Sequence, residues 1–247
     1  MMRLLWKGLI CMMESYYLEC FENFKRVQER VAEATIKSGR SPEEVQLIAV
    51  TKTVEAGAIK AVIEAGATII GENRVQEIID KRDALAAVDK QVHMIGTLQT
   101  NKVKYLPGLV DMIQSVNSEK LALQISKDFA KKNVIANILI EVNIGEETSK
   151  SGAAFEELEA LLYTIKDLPF LKVKGLMTIP PICSEIEARG YFSKMYKLFV
   201  DIKKKNIDNI NMNTLSMGMS GDFEGAILEG ATTVRVGTAI FGRRVYK

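Results

Sequence analysis

The sequence predicts an α/β chain folded as a single (β/α)₈ barrel. Short apolar runs alternate with amphipathic helical stretches about eight times between residues 46 and 236, the pattern of repeated strand–helix units. No two runs are joined by a hairpin-type turn, so the strands are expected to be parallel. The length, 247 residues without a low-complexity linker, is the usual size of one such barrel. An open, doubly wound sheet is the alternative. No GxGxxG follows the first strand, which counts against a dinucleotide fold of that kind.

The elements follow in order. Residues 1–13 carry basic residues and a short apolar run, faintly like a signal peptide, but lack a small-residue cleavage site and are too short to span a bilayer. They are expected to be an unstructured extension, leaving residues 14–247 as the barrel domain. Residues 14–37 read as an extra N-terminal helix, with Leu18, Phe21, Phe24, Val27, Val31 and Ala34 spaced by three and four. Gly39 ends it, and Ser41-Pro42-Glu43-Glu44 has the form of a helix start.

The first strand is residues 46–50, and a helix over 54–65 ends near Gly66. Strand 68–71 leads to a charged helix over 74–87. Strand 92–96 leads to a short helix over 101–106, halted by Pro107-Gly108. Strand 112–116 precedes a helix over 118–132, strand 137–142 a helix over 155–166, and strand 173–177 a helix over 186–205. Strand 214–216, a helix over 223–228 and strand 233–236 complete the count.

Composition excludes several classes of function. Lys+Arg is 33 and Asp+Glu 31, a net charge of +2, which gives no reason to expect nucleic acid or an anionic membrane as partner. The three cysteines, Cys11, Cys20 and Cys183, are odd in number and lack metal-ligand spacing. A reduced, cytoplasmic setting fits them. The single histidine, His93, leaves no material for a catalytic triad or a multi-histidine metal site. No long exposed apolar patch is evident, and a monomer is expected.

In a barrel, chemistry sits just after the strands. The run Leu47-Ile48-Ala49-Val50 leads into Thr51-Lys52 with no turn residue between. A lysine at the mouth of an apolar core is a candidate Schiff-base nucleophile; the alternative is a lysine that only lays its stem along the strand end. The stretch from Ser216 to Asp222 and the stretch Val236-Gly237-Thr238-Ala239 follow the seventh and eighth strands. Their small residues let the backbone approach an anion, and barrels commonly bind phosphate there; plain tight turns are the alternative. The first, seventh and eighth strands neighbour one another in a closed barrel. A compound with an aldehyde at one end and a phosphate at the other would bridge them. Pyridoxal phosphate and sugar phosphates both qualify. Arg235, two residues before Gly237, could face a pyridine nitrogen and favours the former.

The same residues carry a family resemblance. Ala49-Val50-Thr51-Lys52, Gly71-Glu72-Asn73-Arg74-Val75-Gln76-Glu77, the stretch from His93 to Lys102, Leu215-Ser216-Met217-Gly218-Met219-Ser220 and Val234-Arg235-Val236-Gly237-Thr238 occur in order. With them the chain resembles the YggS/PROSC family of pyridoxal phosphate homeostasis proteins over nearly all of residues 14–243. The resemblance implies a TIM barrel like the N-terminal domain of alanine racemase, of the pyridoxal phosphate fold type III. It implies a Schiff base on Lys52, Arg235 facing the ring nitrogen, Ser220, Gly237 and Thr238 on the phosphate, and Asn73 and Ser216 lining the pocket. His93 is either a packed core residue or a ligand contact. Family members bind the cofactor without established turnover and are thought to store, protect or deliver it, with apoenzymes as recipients.

Two enzyme readings compete with a carrier. An amino-acid racemase would need a tyrosine base and a second domain. Only twelve residues follow Arg235, and no tyrosine takes a strand-end position. A class I aldolase would need carboxylates near Lys52, for which Glu72 and Glu141 are candidates.

Overall fold

In the computed structural model, residues 2–146 and 151–243 are described, with side chains from residue 13 onward. Eight parallel strands close into a barrel in sequence order, β8 returning to pair with β1. The strands are β1 (Gln46–Val50), β2 (Ile69–Glu72), β3 (Gln91–Met94), β4 (Met112–Val116), β5 (Ala136–Glu141), β6 (Leu171–Met177), β7 (Ile210–Ser216) and β8 (Thr233–Val236). The helices are α1 (Met2–Lys37), α2 (Ala56–Glu64), α3 (Val75–Lys81), α4 (Glu119–Ala130), α5 (Leu158–Ile165), α6 (Glu185–Lys204), α7 (Phe223–Leu228) and α8 (Thr238–Phe241). Short 3₁₀ turns lie at Pro42–Glu44, Asp83–Leu85 and Thr100–Tyr105.

The closed barrel replaces the open-sheet alternative. Its seam is well paired: Gln46, Leu47, Ile48 and Ala49 stand in register with Thr233, Val234, Arg235 and Val236. The main apolar core lies between the strands and the helical ring, where Phe129, Phe192 and Phe223 are fully buried.

Helix α1 differs from expectation at both its start and its face. It runs back to Met2, where the sequence reading had an unstructured extension over 1–13. No proline interrupts residues 2–13, and their leucines and methionines favour helix, with Gly8 the one poor former. The buried stripe is Cys20, Phe24, Val27, Val31 and Ala34. Leu18 is 62% exposed; two residues before Cys20, it falls about 160° around a 3.6-residue turn from that buried residue. The stripe packs on α2, α7 and α8. Polar ties fix it there: Asn23 Nδ2 donates to the Ile240 carbonyl at 3.0 Å, and Tyr16 Oη to the Phe241 carbonyl at 3.3 Å. Arg40, just past the helix, donates to the carbonyls of Ala231 and Ile227 at 2.8 and 2.6 Å.

The charged helix expected over 74–87 is shorter. It ends at Lys81, and a 3₁₀ turn then carries Leu85 into the core. No helix among the described residues is long and apolar enough to cross a membrane.

Candidate functional site

Strand alternation decides where Lys52 points. Ile48 faces the lumen: a Cβ added at Gly71 on β2 would lie 2.8 Å from both Ile48 Cγ2 and Ile95 Cδ1. Val50 and Lys52 follow on that face, and both line a cavity at the C-terminal mouth of the barrel. Thr51 and Thr53 fall on the other face, and there they are gripped. Lys81 Nζ donates to the Thr51 carbonyl at 2.8 Å, to Glu72 Oε1 at 2.8 Å and to Glu77 Oε2 at 2.9 Å. Thr51 Oγ1 also donates to Glu72 Oε1, and the Thr53 N–H donates to Glu77 Oε2 at 2.6 Å. Thr53 has φ 59°, a left-handed conformation that costs a β-branched residue about 1–3 kcal/mol. The Glu77 carboxylate, held below the ordinary range by Lys81 and the Thr53 N–H despite partial burial, offsets that strain.

The cavity has a volume of about 260 Å³. Six of the seven residues predicted from the sequence line it together: Lys52, Asn73, Ser220, Arg235, Gly237 and Thr238. Val50, Ile95, Ile179, Met219 and Gly221 complete the wall. Asn73 is set by Gly96, where any Cβ would collide with the Asn73 carbonyl. Its Oδ1 is buried without a hydrogen-bond partner, so a donor in the cavity would satisfy it. No carboxylate is among the described residues that line the cavity.

The seventh predicted residue, Ser216, lies elsewhere. It does not line the cavity but is fully buried behind Arg235. Arg235 Nη1 donates to Ser216 Oγ at 2.6 Å, and Nη2 to the Thr178 carbonyl at 2.9 Å. Ser216 Oγ in turn donates to Gln114 Oε1 at 2.7 Å, and Gln114 Nε2 lies 3.0 Å from His93 Nδ1. Strands β4 and β7 are not neighbours, so the Ser216–Gln114 bond crosses the lumen. Burial lowers the Arg235 pKa to about 10, opposed by Asp222 and Glu141; the guanidinium stays charged at neutral pH. Burial also holds His93 neutral, its pKa lowered to about 4. His93 is thus a packed lumen residue rather than a cavity contact.

The loop after β7 and the start of α8 form the rest of the wall. Gly218 takes φ 93°, and a Cβ on it would meet Ala226 Cβ at 2.6 Å, so only glycine fits. Asp222 Oδ1 closes the loop by accepting the Met219 N–H at 2.6 Å. Ser220 Oγ accepts the N–H groups of Gly237 and Ala239 at 3.1 and 3.3 Å. Those bonds join the two predicted phosphate loops into one cradle.

Glu72 and Glu141, the carboxylates an aldolase would use, both lie outside the cavity. Glu72 faces the helical layer and bonds Lys81; Glu141 Oε1 accepts from Ser151 at 2.7 Å. Gln114 and Lys81 were not singled out from the sequence. Gln114 had a signal, an amide inside the apolar strand Met112-Ile113-Gln114-Ser115-Val116. Among the described residues no group of three or more His, Cys, Asp or Glu could hold a metal.

Comparison with known proteins agrees with this geometry. The family model described as alanine racemase, N-terminal domain, matches residues 22–245. The pyridoxal phosphate homeostasis protein of Aquifex aeolicus is 44% identical over 226 residues, 91% of this chain and 98% of that one. Its namesake from Pseudomonas aeruginosa is 39% identical, over 91% and 96% of the two chains. Among solved structures, PipY of Synechococcus elongatus with PLP bound matches with a TM-score of 0.77 at 33% identity, over 87% of this chain and all of that one. An alanine racemase from Corynebacterium glutamicum, at 14% identity and a TM-score of 0.67, shares the fold alone, and the match spans 91% of this chain and 62% of the racemase. A closed barrel with these relatives along almost its full length places the chain in the family of pyridoxal phosphate homeostasis proteins, built on the alanine racemase N-terminal fold.

Proposed function

We propose that this protein binds pyridoxal 5'-phosphate in the Lys52 cavity and holds it reversibly, for storage, protection and delivery to apoenzymes. The observation that carries the reading is the convergence of Lys52, Arg235 and the Ser220–Gly237–Thr238 cradle on one cavity. The donor set suits the cofactor. A primary amine is what an aldehyde condenses with, and hydroxyl and N–H donors are what a phosphate takes. When bound, the cofactor supplies an electrophilic aldehyde and an electron-withdrawing ring. Lys52 would hold the aldehyde carbon, Arg235 would donate to the ring nitrogen, and Ser220, Gly237 and Thr238 would hold the phosphate. Asn73 Oδ1 would accept from a donor on the cofactor. Ser216 acts through Arg235 rather than by contact.

That no carboxylate is among the described residues lining the cavity supports holding over chemistry. We place the protein in the cytoplasm as a monomer, in line with its reduced-compartment cysteine usage. The test is direct. Purified protein should absorb as a cofactor–amine adduct, and borohydride followed by mass spectrometry should fix a pyridoxyl group on Lys52. Labelling of another lysine, such as Lys102 or Lys174, would overturn the site. Transfer of the cofactor to a purified apoenzyme should restore that enzyme's activity.

A further inference from the structure

Arg235, Ser216, Gln114 and His93 form one hydrogen-bonded chain across the lumen, and each is at most 4% exposed. Its direction follows from chemistry. A guanidinium has donors only, so Ser216 Oγ must accept from Arg235. The serine hydrogen goes on to Gln114, whose carbonyl oxygen faces it at 2.7 Å. The amide nitrogen of Gln114 is left for His93, so Nδ1 must accept and the ring hydrogen must sit on Nε2. Nε2 itself is buried without a partner. A buried amide is costly unless both its ends are satisfied, and here both ends are used in the chain.

We propose that Gln114 is a positioning residue for Arg235: its carbonyl fixes the Ser216 hydroxyl as an acceptor and so aims the guanidinium, while His93, locked as the Nε2–H tautomer, orients the Gln114 amide. The proposal rests on the reading that Arg235 faces the cofactor ring. It extends the binding site to two strands, β3 and β4, whose contributing side chains touch no ligand.

The chain has one histidine, so ¹⁵N-histidine labelling gives a single imidazole to observe. A long-range ¹H–¹⁵N spectrum of the ligand-free wild type at pH 7 should show the Nε2–H tautomer alone. The Nδ1–H form, or an exchanging mixture, would overturn the relay. Gln114→Glu keeps the size but removes the donor. His93 should then turn to donate from Nδ1, and an unchanged tautomer would count against the relay. Gln114→Leu should weaken pyridoxal phosphate binding about tenfold and move the absorption maximum of the bound cofactor, with borohydride still labelling Lys52. Unchanged affinity and spectrum would sink the positioning role. If the wild type bound no pyridoxal phosphate, the proposed function would fail, while the histidine spectra would still decide the relay.

Discussion

The ammonium of Lys81 donates to the main-chain carbonyl of Thr51, the residue before Lys52, at 2.8 Å. The residue after Lys52 is held by Glu77, which Lys81 also binds. The candidate nucleophile is thus bracketed on both sides by one ion cluster on α3, with the buried Glu72 completing it. Lys81→Met leaves Glu72 buried without its cation, in a site where burial already raises its pKa. Loss of about 2–4 kcal/mol of stability is expected, below the full cost of a stranded charge because Glu72 can take up a proton. Urea unfolding at pH 7 measures it, and a change under 0.5 kcal/mol would show that the cluster carries no weight.

Lys52→Ala should abolish covalent retention of the cofactor while the protein stays folded, because the side chain lines a cavity and fills no core volume. Mass spectrometry after borohydride reduction should find no pyridoxyl adduct, and circular dichroism should be unchanged.

Ser220→Ala removes the oxygen that accepts from Gly237 and Ala239. A hydroxyl that accepts can still donate its own hydrogen to an anion, a bond to a charged group worth about 1.5–3 kcal/mol. Equilibrium titration should show affinity for pyridoxal phosphate falling roughly tenfold or more. Pyridoxal, which lacks the phosphate, should bind wild type and variant alike.

His93 gives a pH prediction. Its folded pKa is lowered from 6.5 to about 4 by burial, so between those values the unfolded chain binds the extra proton. The stability it contributes is complete above about pH 6.5, declines as pH falls through the window and levels off below about 4, a total of about 3 kcal/mol. Glu72, Glu141 and Asp222 oppose it, because burial raises their pKa and the folded state takes up their protons first. Comparison of urea midpoints for wild type and His93→Gln across pH 4–7 separates the histidine term. A parallel pair of curves would refute it.

Turnover on free amino acids should be negligible. Arg235 can only donate, so a ring nitrogen opposite it stays unprotonated and the ring withdraws electrons weakly. No carboxylate among the described lining residues is there to share the work. Incubation of the loaded protein with L-alanine, L-serine and L-lysine, followed by chiral chromatography, checks this. Multiple turnovers that vanish in Lys52→Ala would make the protein an enzyme.

Much of the site was legible because barrel strands end where ligands bind, and six of the predicted residues do meet in one cavity. Ser216 is expected on the pocket wall because sequence gives its position at a strand end but not its depth, which the lumen-crossing bond to Gln114 reveals. Strand β7 looked shorter than it is. Asn211 and Asn213 carry no apolar signal, yet they are the exposed positions on either side of the buried Met212 in the first half of that strand. Lys81 was hidden because a lysine on a charged helix reads as solvated, and its reach to Thr51 depends on where α3 lands against β2.

Helix α1 holds the far end of α8 through Asn23 and Ile240, residues separated by 217 positions. The nucleophile is made early in synthesis and the cradle last. Contacts of such long range form late, after the entropy of closing the intervening chain has been overcome. On the proposed function, capture of the cofactor would wait for the end of the chain: a nascent barrel still lacking β8 has Lys52 and Ser220 but neither Arg235 nor Gly237 and Thr238.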